Sequence, residues 1–263
     1  MSSFLFTQLS PRFTAIWLRN WTVYQRTWKI SFLPPLLEPI LYVAAFGIGF
    51  KGLISSVEYQ GHEISYVSFI APALIAVSIM YSAFFENTFS SYVRMYYQKT
   101  FDAMMATPLS LEEIITGEIM WGATKSVISA AIMLAVLSAF RLIHYPHGLL
   151  VLPLAFLGGL AFGSIGIVFT AIVQNIEMFN LPTFLFITPM FLFSGTFFPL
   201  STLPGWAQKA ALTMPLTQLS QATRALAFGS AGGVVWVACA YLLVCSAIFF
   251  PLALILMRRR LIR

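Results

Sequence analysis

VVWVACAYLLVCSAIFFPLALILM, residues 234–257, runs for 24 residues without one charged side chain, and RRR follows at 258–260. About 20 consecutive apolar residues are enough for an α-helix to cross the hydrocarbon core of a bilayer. A charge inside that core is costly. The stretch therefore reads as a transmembrane helix stopped by cations. Working outward, five more blocks of the same kind occupy residues 33–50, 66–85, 120–140, 149–173 and 181–198. The expected fold class is all-α: a polytopic membrane protein with six transmembrane helices.

Composition agrees with that reading. Hydrophobic residues make up 59% of the chain and charged residues 9%, against about 25% charged in a soluble domain. The longest polar stretch, residues 87–119, is shorter than a typical domain. Residues 1–263 are therefore expected to form one transmembrane domain. The formal charge is +6, and its placement matters more than its size. Arg12, Arg19, Arg26 and Lys29 precede the first block; Arg94 and Lys99 lie between the second and third; Arg258, Arg259, Arg260 and Arg263 follow the last. With an even number of spans these all fall on one side, and only Lys51, Arg141, Lys209 and Arg224 fall on the other. An excess of Lys and Arg marks the cytoplasmic side, so both termini are expected inside. Cations that flank spans form no continuous patch for nucleic acid, so no nucleic-acid partner is expected. The opening MSSFLFTQLS has no basic leader or cleavage site, so no removable signal is expected there. Cys239 and Cys245 share one helix on different faces and are read as packing residues.

Residues 10–31 are expected to form an amphipathic helix lying at the membrane interface. At about 100° per residue, Trp17, Trp21, Tyr24 and Trp28 fall within about 60° of one another, with Arg12, Arg19 and Arg26 opposite. Aromatic and basic faces of that kind suit the headgroup layer, so membrane lipids are expected partners. Pro34, Pro35 and Pro39 are expected to prevent a regular helix start to the first span. Glu38 beside them is expected to face protein or to reach for the surface.

Within residues 87–119, the segment 94–107 mixes exposed apolar and charged residues: Gln98, Lys99, Thr100, Phe101, Asp102, Met104 and Met105. That mixture suits docking on a soluble partner. Ser110 and Glu113 have the spacing of a capping box and restart a helix. Gly159 and Gly163 form a GxxxG pair for close helix packing. Residues 199–232 read as two short helices broken near Thr213–Pro215, folded as an outer re-entrant hairpin.

Catalytic motifs are missing. His62, His144 and His147 are scattered in loops, so neither a catalytic nor a metal site is expected. Gly117, Gly122, Lys125 and Ser126 resemble a phosphate-binding loop, but the lysine does not follow the second glycine, so no nucleotide is expected to bind here. Ionisable residues lie near span ends; Glu86, Glu118 and Lys125 are expected to cluster at the inner boundary. That placement disfavours the alternative of an ion-coupled secondary transporter or channel.

Several motifs resemble a known family. EPILYVAAFGIGF (38–50) resembles the first span of type 2 ABC-transporter permeases. QKTFDAMMATPLS (98–110) resembles the cytoplasmic coupling segment of the nodulation lipo-oligosaccharide exporter branch. FSGTFFP (193–199), LPGW (203–206) and PLT (215–217) resemble its outer re-entrant region. The resemblance implies a permease without enzyme activity of its own, sitting in the bacterial cytoplasmic (inner) membrane. Two copies would pair and recruit two copies of a separate ABC ATPase subunit, which would bind ATP and Mg. Phe101 and Met104 would insert into an ATPase groove, with Lys99 and Asp102 at its rim. Spans one, two and five would open a path for an amphiphilic cargo, such as a lipo-oligosaccharide, lipid-linked glycan, lipid or hydrophobic drug. Phe197, Phe198, Pro199 and Trp206 would form the outer gate.

Overall fold

A computed structural model describes residues 10–46, 56–59 and 62–262, with His62 as backbone only. The expectations for MSSFLFTQLS (residue 10 apart), the end of the 33–50 block, Lys51, the His62 side chain and Arg263 fall outside the described residues. Helix α1 spans Phe13–Ala44. A two-stranded antiparallel hairpin follows, β1 Ser56–Tyr59 and β2 His62–Ser65, where only a loop was expected. Helix α2 begins at Tyr66 and continues to Tyr97 through two wide π turns. Then come α3 Thr100–Met105, α4 Leu111–Ala139, α5 Val151–Ile172 and α6 Ile176–Phe193. The chain closes with α7 Gly205–Leu212, α8 Pro215–Ala227 and α9 Gly233–Leu261. Five of these helices are long and apolar enough to cross a membrane: α2, α4, α5, α6 and α9.

The bundle has two distinct ends. At one, Arg12 Nη1 donates to the Pro108 carbonyl at 3.0 Å, Tyr92 donates to the Gln174 carbonyl at 2.6 Å, and Arg258 pairs with Glu112 at 3.3 Å. This connector end gathers the start of α1, the 98–110 linker, the α5–α6 turn and the end of α9. At the hairpin end, Tyr66 donates to the Phe197 carbonyl at 3.1 Å and the His144 amide to the Ala227 carbonyl at 2.8 Å. Phe46, beyond α1, packs on Tyr66 and Phe197, so α1 runs the length of the bundle.

Two expectations for α1 are corrected. Residues 10–31 are not a separate helix; one helix runs through Pro34, Pro35 and Pro39. Proline removes a hydrogen bond one turn back. A membrane helix tolerates that loss where neighbouring helices, Ser or Thr side chains or a local change of turn re-satisfy the freed carbonyls. The aromatic face is also not left free. Trp17, Trp21 and Tyr24 pack edge-on against Trp121 of α4, and Trp17 donates to Thr124 at 2.9 Å.

The 87–119 stretch is mostly helix rather than connector. The side chains of Asn87 and Thr88 donate back to the carbonyls of Ala83 and Phe84 at 3.0 and 2.7 Å, inside the first wide turn of α2. Asn87 fits because α4 has no side chain opposite: a Cβ on Gly122 would lie 1.9 Å from its amide nitrogen. The α4–α5 crossing is also close, since a Cβ on Gly159 would sit 2.6 Å from the Ala123 Cα. The capping box forms, with the Glu113 amide donating to Ser110 Oγ at 3.2 Å and the Ser110 amide to Glu113 Oε2 at 2.8 Å.

Candidate functional site

Starting at Leu111, α4 places Glu118 two turns in and Lys125 two turns further, midway along the helix rather than near its inner end. Both face α2, whose two-turn spacing puts Glu86 and Arg94 on one side. Arg94 bridges the carboxylates: Nη1 to Glu86 at 2.7 Å and Nε to Glu118 at 2.9 Å. Lys125 Nζ meets the other Glu86 oxygen at 2.8 Å, and Trp121 Nε1 donates to Glu86 at 3.1 Å. Asn20 of α1 and Ser91 of α2 each donate to Glu118 at 3.0 Å. Three helices are thus tied by one buried network. Burying ions is costly unless every charge is paired and hydrogen-bonded, and here each carboxylate has at least three donors. The sequence reading named Glu86, Glu118 and Lys125. It missed Arg94 as their bridge, because residues 87–119 were read as connector rather than as α2.

Beside the network lies a groove between α1, α2 and α4. One cavity of about 280 Å³ is lined by Ser31, Glu38, Ser78, Tyr81, Ser129 and Lys125, among others. An adjoining one of about 360 Å³ is lined by Arg19, Tyr24, Gln98, Arg94 and Trp121, among others. This groove is lined by residues of the first three long helices, α1, α2 and α4. In α6, Phe184 and Leu185 are exposed on the surface. Glu38 faces protein as expected, at the wall of this groove.

The linker residues divide sharply. Lys99 takes a left-handed conformation, φ 53°, and turns the chain into α3. Gln98, Lys99 and Asp102 are exposed, Thr100, Met104 and Met105 half-buried, and Phe101 is 0% exposed. Phe101 sits in the connector-end core with Tyr92, Leu111, Ile115 and Phe179. The expectation that Phe101 inserts into a partner is therefore corrected. An aromatic ring with a pocket in its own chain stays there, since burying it is worth about 2–3 kcal/mol. Tyr96 and Tyr97 are the exposed aromatics beside the linker, and Lys99 Nζ lies 5.3 Å from the Tyr96 ring centre.

At the hairpin end Phe197 packs on Phe46 and Phe191, while Phe198 and Pro199 are half-buried. Trp206 is 76% exposed. The structure does not gather these four residues into one cluster. It reveals instead Arg224, expected on the outer side and found only 3% exposed. Its guanidinium donates to the carbonyls of Phe69 at 3.0 Å and Gly195 at 2.8 Å. It also lies over the Phe69 ring at 3.9 Å and near the Tyr59 ring at 5.5 Å. Arg224 falls on the helical face of Thr217 and Ser220, which are buried with it in the structure. On the other face, the α7–α8 turn reaches α9, where Tyr241 donates to the Thr213 carbonyl.

The set of features is one of a membrane permease: long apolar helices, a polar groove between them, and a short folded linker at one end. Residues 11–228 match the ABC-2 type transporter family, and the chain belongs to it. It is similar to "Nodulation protein J" of Sinorhizobium fredii, with 31% identity over 248 residues, 94% of this chain and 93% of that protein. It is also similar to "Nodulation protein J" of Rhizobium leguminosarum bv. trifolii, with 34% identity over 97% of this chain and 95% of that protein. "Inner membrane transport permease YadH" of Escherichia coli is 26% identical over 78% of each chain. The chain is thus a multi-pass bacterial inner-membrane permease of the ABC exporter type, in the branch of the nodulation exporter permeases.

Proposed function

We propose that this chain is the permease half of an exporter that moves an amphiphilic substrate outward, driven by a separate ATPase. Two copies pair across the membrane, each with six spans counting α1, and two ATPase subunits bind at the connector end with ATP and magnesium. The connector end is cytoplasmic, consistent with the cations gathered there: Arg12, Lys99, Arg258 and Arg259. The α7–α8 hairpin lies at the outer mouth as a re-entrant element.

The observation that carries this reading is the linker. Phe101 anchors α3 in the protein core while Gln98, Lys99 and Asp102 stay exposed on it. A push on α3 is carried to α2 and α4, which the Arg94 network ties to α1. The exposed tyrosines Tyr96 and Tyr97 supply the apolar part of the docking surface that Phe101 does not.

Co-purification with the cognate ATPase tests the reading. The assembled complex is expected to hydrolyse ATP and the isolated chain is not. A Tyr97→Asp variant is expected to fold and to lose the ATPase. Normal assembly of that variant would contradict the docking assignment.

A further inference from the structure

A second feature of the connector end concerns lipid rather than the ATPase. Two adjoining hollows, of about 360 and 470 Å³, share Arg19, Val23 and Thr27 of α1. The inner one also has Arg94, Gln98 and Lys125 in its wall, and the outer one has Arg26. Four cations thus face one continuous groove. Of the nearby carboxylates, Glu86 is held by Arg94, Lys125 and Trp121, and Glu118 lies behind the wall, held by Arg94, Asn20 and Ser91. Glu38 lines the neighbouring cavity, further along α1. Among the described residues, Arg26 has no partner, and Arg19 makes one hydrogen bond, to Asn20 Oδ1 at 2.8 Å. The groove therefore presents unneutralised guanidinium donors.

Depth decides what reaches it. At about 1.5 Å per residue, the helical path from Thr27 to Phe46 covers about 28 Å, close to the thickness of the hydrocarbon core. Phe46 meets Phe197 and Tyr66 at the hairpin end. With that length in hydrocarbon, Lys29 sits just inside its edge, Glu38 faces the neighbouring cavity, Arg26 and Trp28 lie at headgroup level where tryptophan concentrates, and Arg19, about 12 Å beyond Thr27, stands on the water side of the headgroups. We propose that this groove binds the phosphate-bearing head of an anionic phospholipid from the adjoining leaflet. The lipid's acyl chains would lie along the exposed Ile30, Leu33 and Leu37 of α1. Which leaflet this is rests on the orientation proposed above; the site itself does not depend on the ATPase.

The test is lipid retention. The chain is purified from detergent containing equal phosphatidylglycerol and phosphatidylcholine, and bound lipid is counted by native mass spectrometry. Wild type is expected to retain phosphatidylglycerol about tenfold over phosphatidylcholine, as two cations near an anionic head allow. The Arg19→Gln, Arg26→Gln double variant is expected to bring the ratio near even. Arg26→Gln alone, at an exposed position, is expected to lower it about threefold with an unchanged melting temperature. Lys209→Gln, on exposed α7, is expected to leave it unchanged. Even retention by wild type, or selectivity surviving in both arginine variants, overturns the proposal. Displacement of the lipid by excess inorganic phosphate also overturns it, assigning the site to the free ion. Retention through that challenge supports the lipid.

Discussion

The two ends of the bundle hold their buried charges in opposite ways. Toward the connector end Glu86 and Glu118 share Arg94, with Lys125, midway along α4, completing the set. At the hairpin end Arg224 is held by two main-chain carbonyls and two aromatic faces. A paired network cannot come apart without leaving an ion bare in a low-dielectric interior. A guanidinium bonded to carbonyls can exchange those bonds for water at modest cost. The connector end is thus built as a braced block, and the hairpin end as a joint that can part. That division suits a protein pushed at one end and opened at the other.

The largest effect is expected from breaking the braced end. Arg94→Met strands Glu118 and half of Glu86, and should cost about 3–5 kcal/mol. Thermal unfolding in detergent should show a collapse in the yield of folded protein; an unchanged melting curve would mean the network braces nothing. Phe101→Ala should come next. Removing a fully buried ring costs about 3–5 kcal/mol at most, and limited proteolysis should cut first within residues 98–110. At the hairpin end Arg224→Met leaves two carbonyls without a donor, at about 1–3 kcal/mol. Its melting shift should therefore be smaller than that of Arg94→Met, and the reverse order would invert the comparison. The smallest effect belongs to the exposed Lys99–Asp102 contact, 4.0 Å long. Surface pairs contribute about 0–1 kcal/mol, so Asp102→Lys should melt like wild type while ATP hydrolysis in the assembled complex falls.

Much of the fold was legible in the sequence, because long apolar blocks admit few alternatives in a bilayer. The blocks ending near Phe85, Phe140 and Val173 correspond to α2, α4 and α5, although α2 and α4 extend well past them at the connector end. The Ser110–Glu113 cap was readable because its spacing is local. What escaped was set by tertiary contact. Pro34, Pro35 and Pro39 look like breakers in one dimension, yet α1 continues through them. Phe101 looks like a free knob until the pocket formed by Tyr92, Leu111 and Phe179 is seen. Arg94 and Arg224 look like ordinary flanking cations, because a charge carries no local mark of its distant partner. Glu118 lies 24 residues from Arg94, and Phe69 lies 155 from Arg224.

The central claim is that an ATPase grips the exposed face of the 98–107 linker. Photo-crosslinking from position 102 in cells expressing both subunits tests it most directly. The account predicts an adduct with the ATPase from position 102 and none from position 206 at the hairpin end. No adduct from 102, or an adduct from 206, would contradict it.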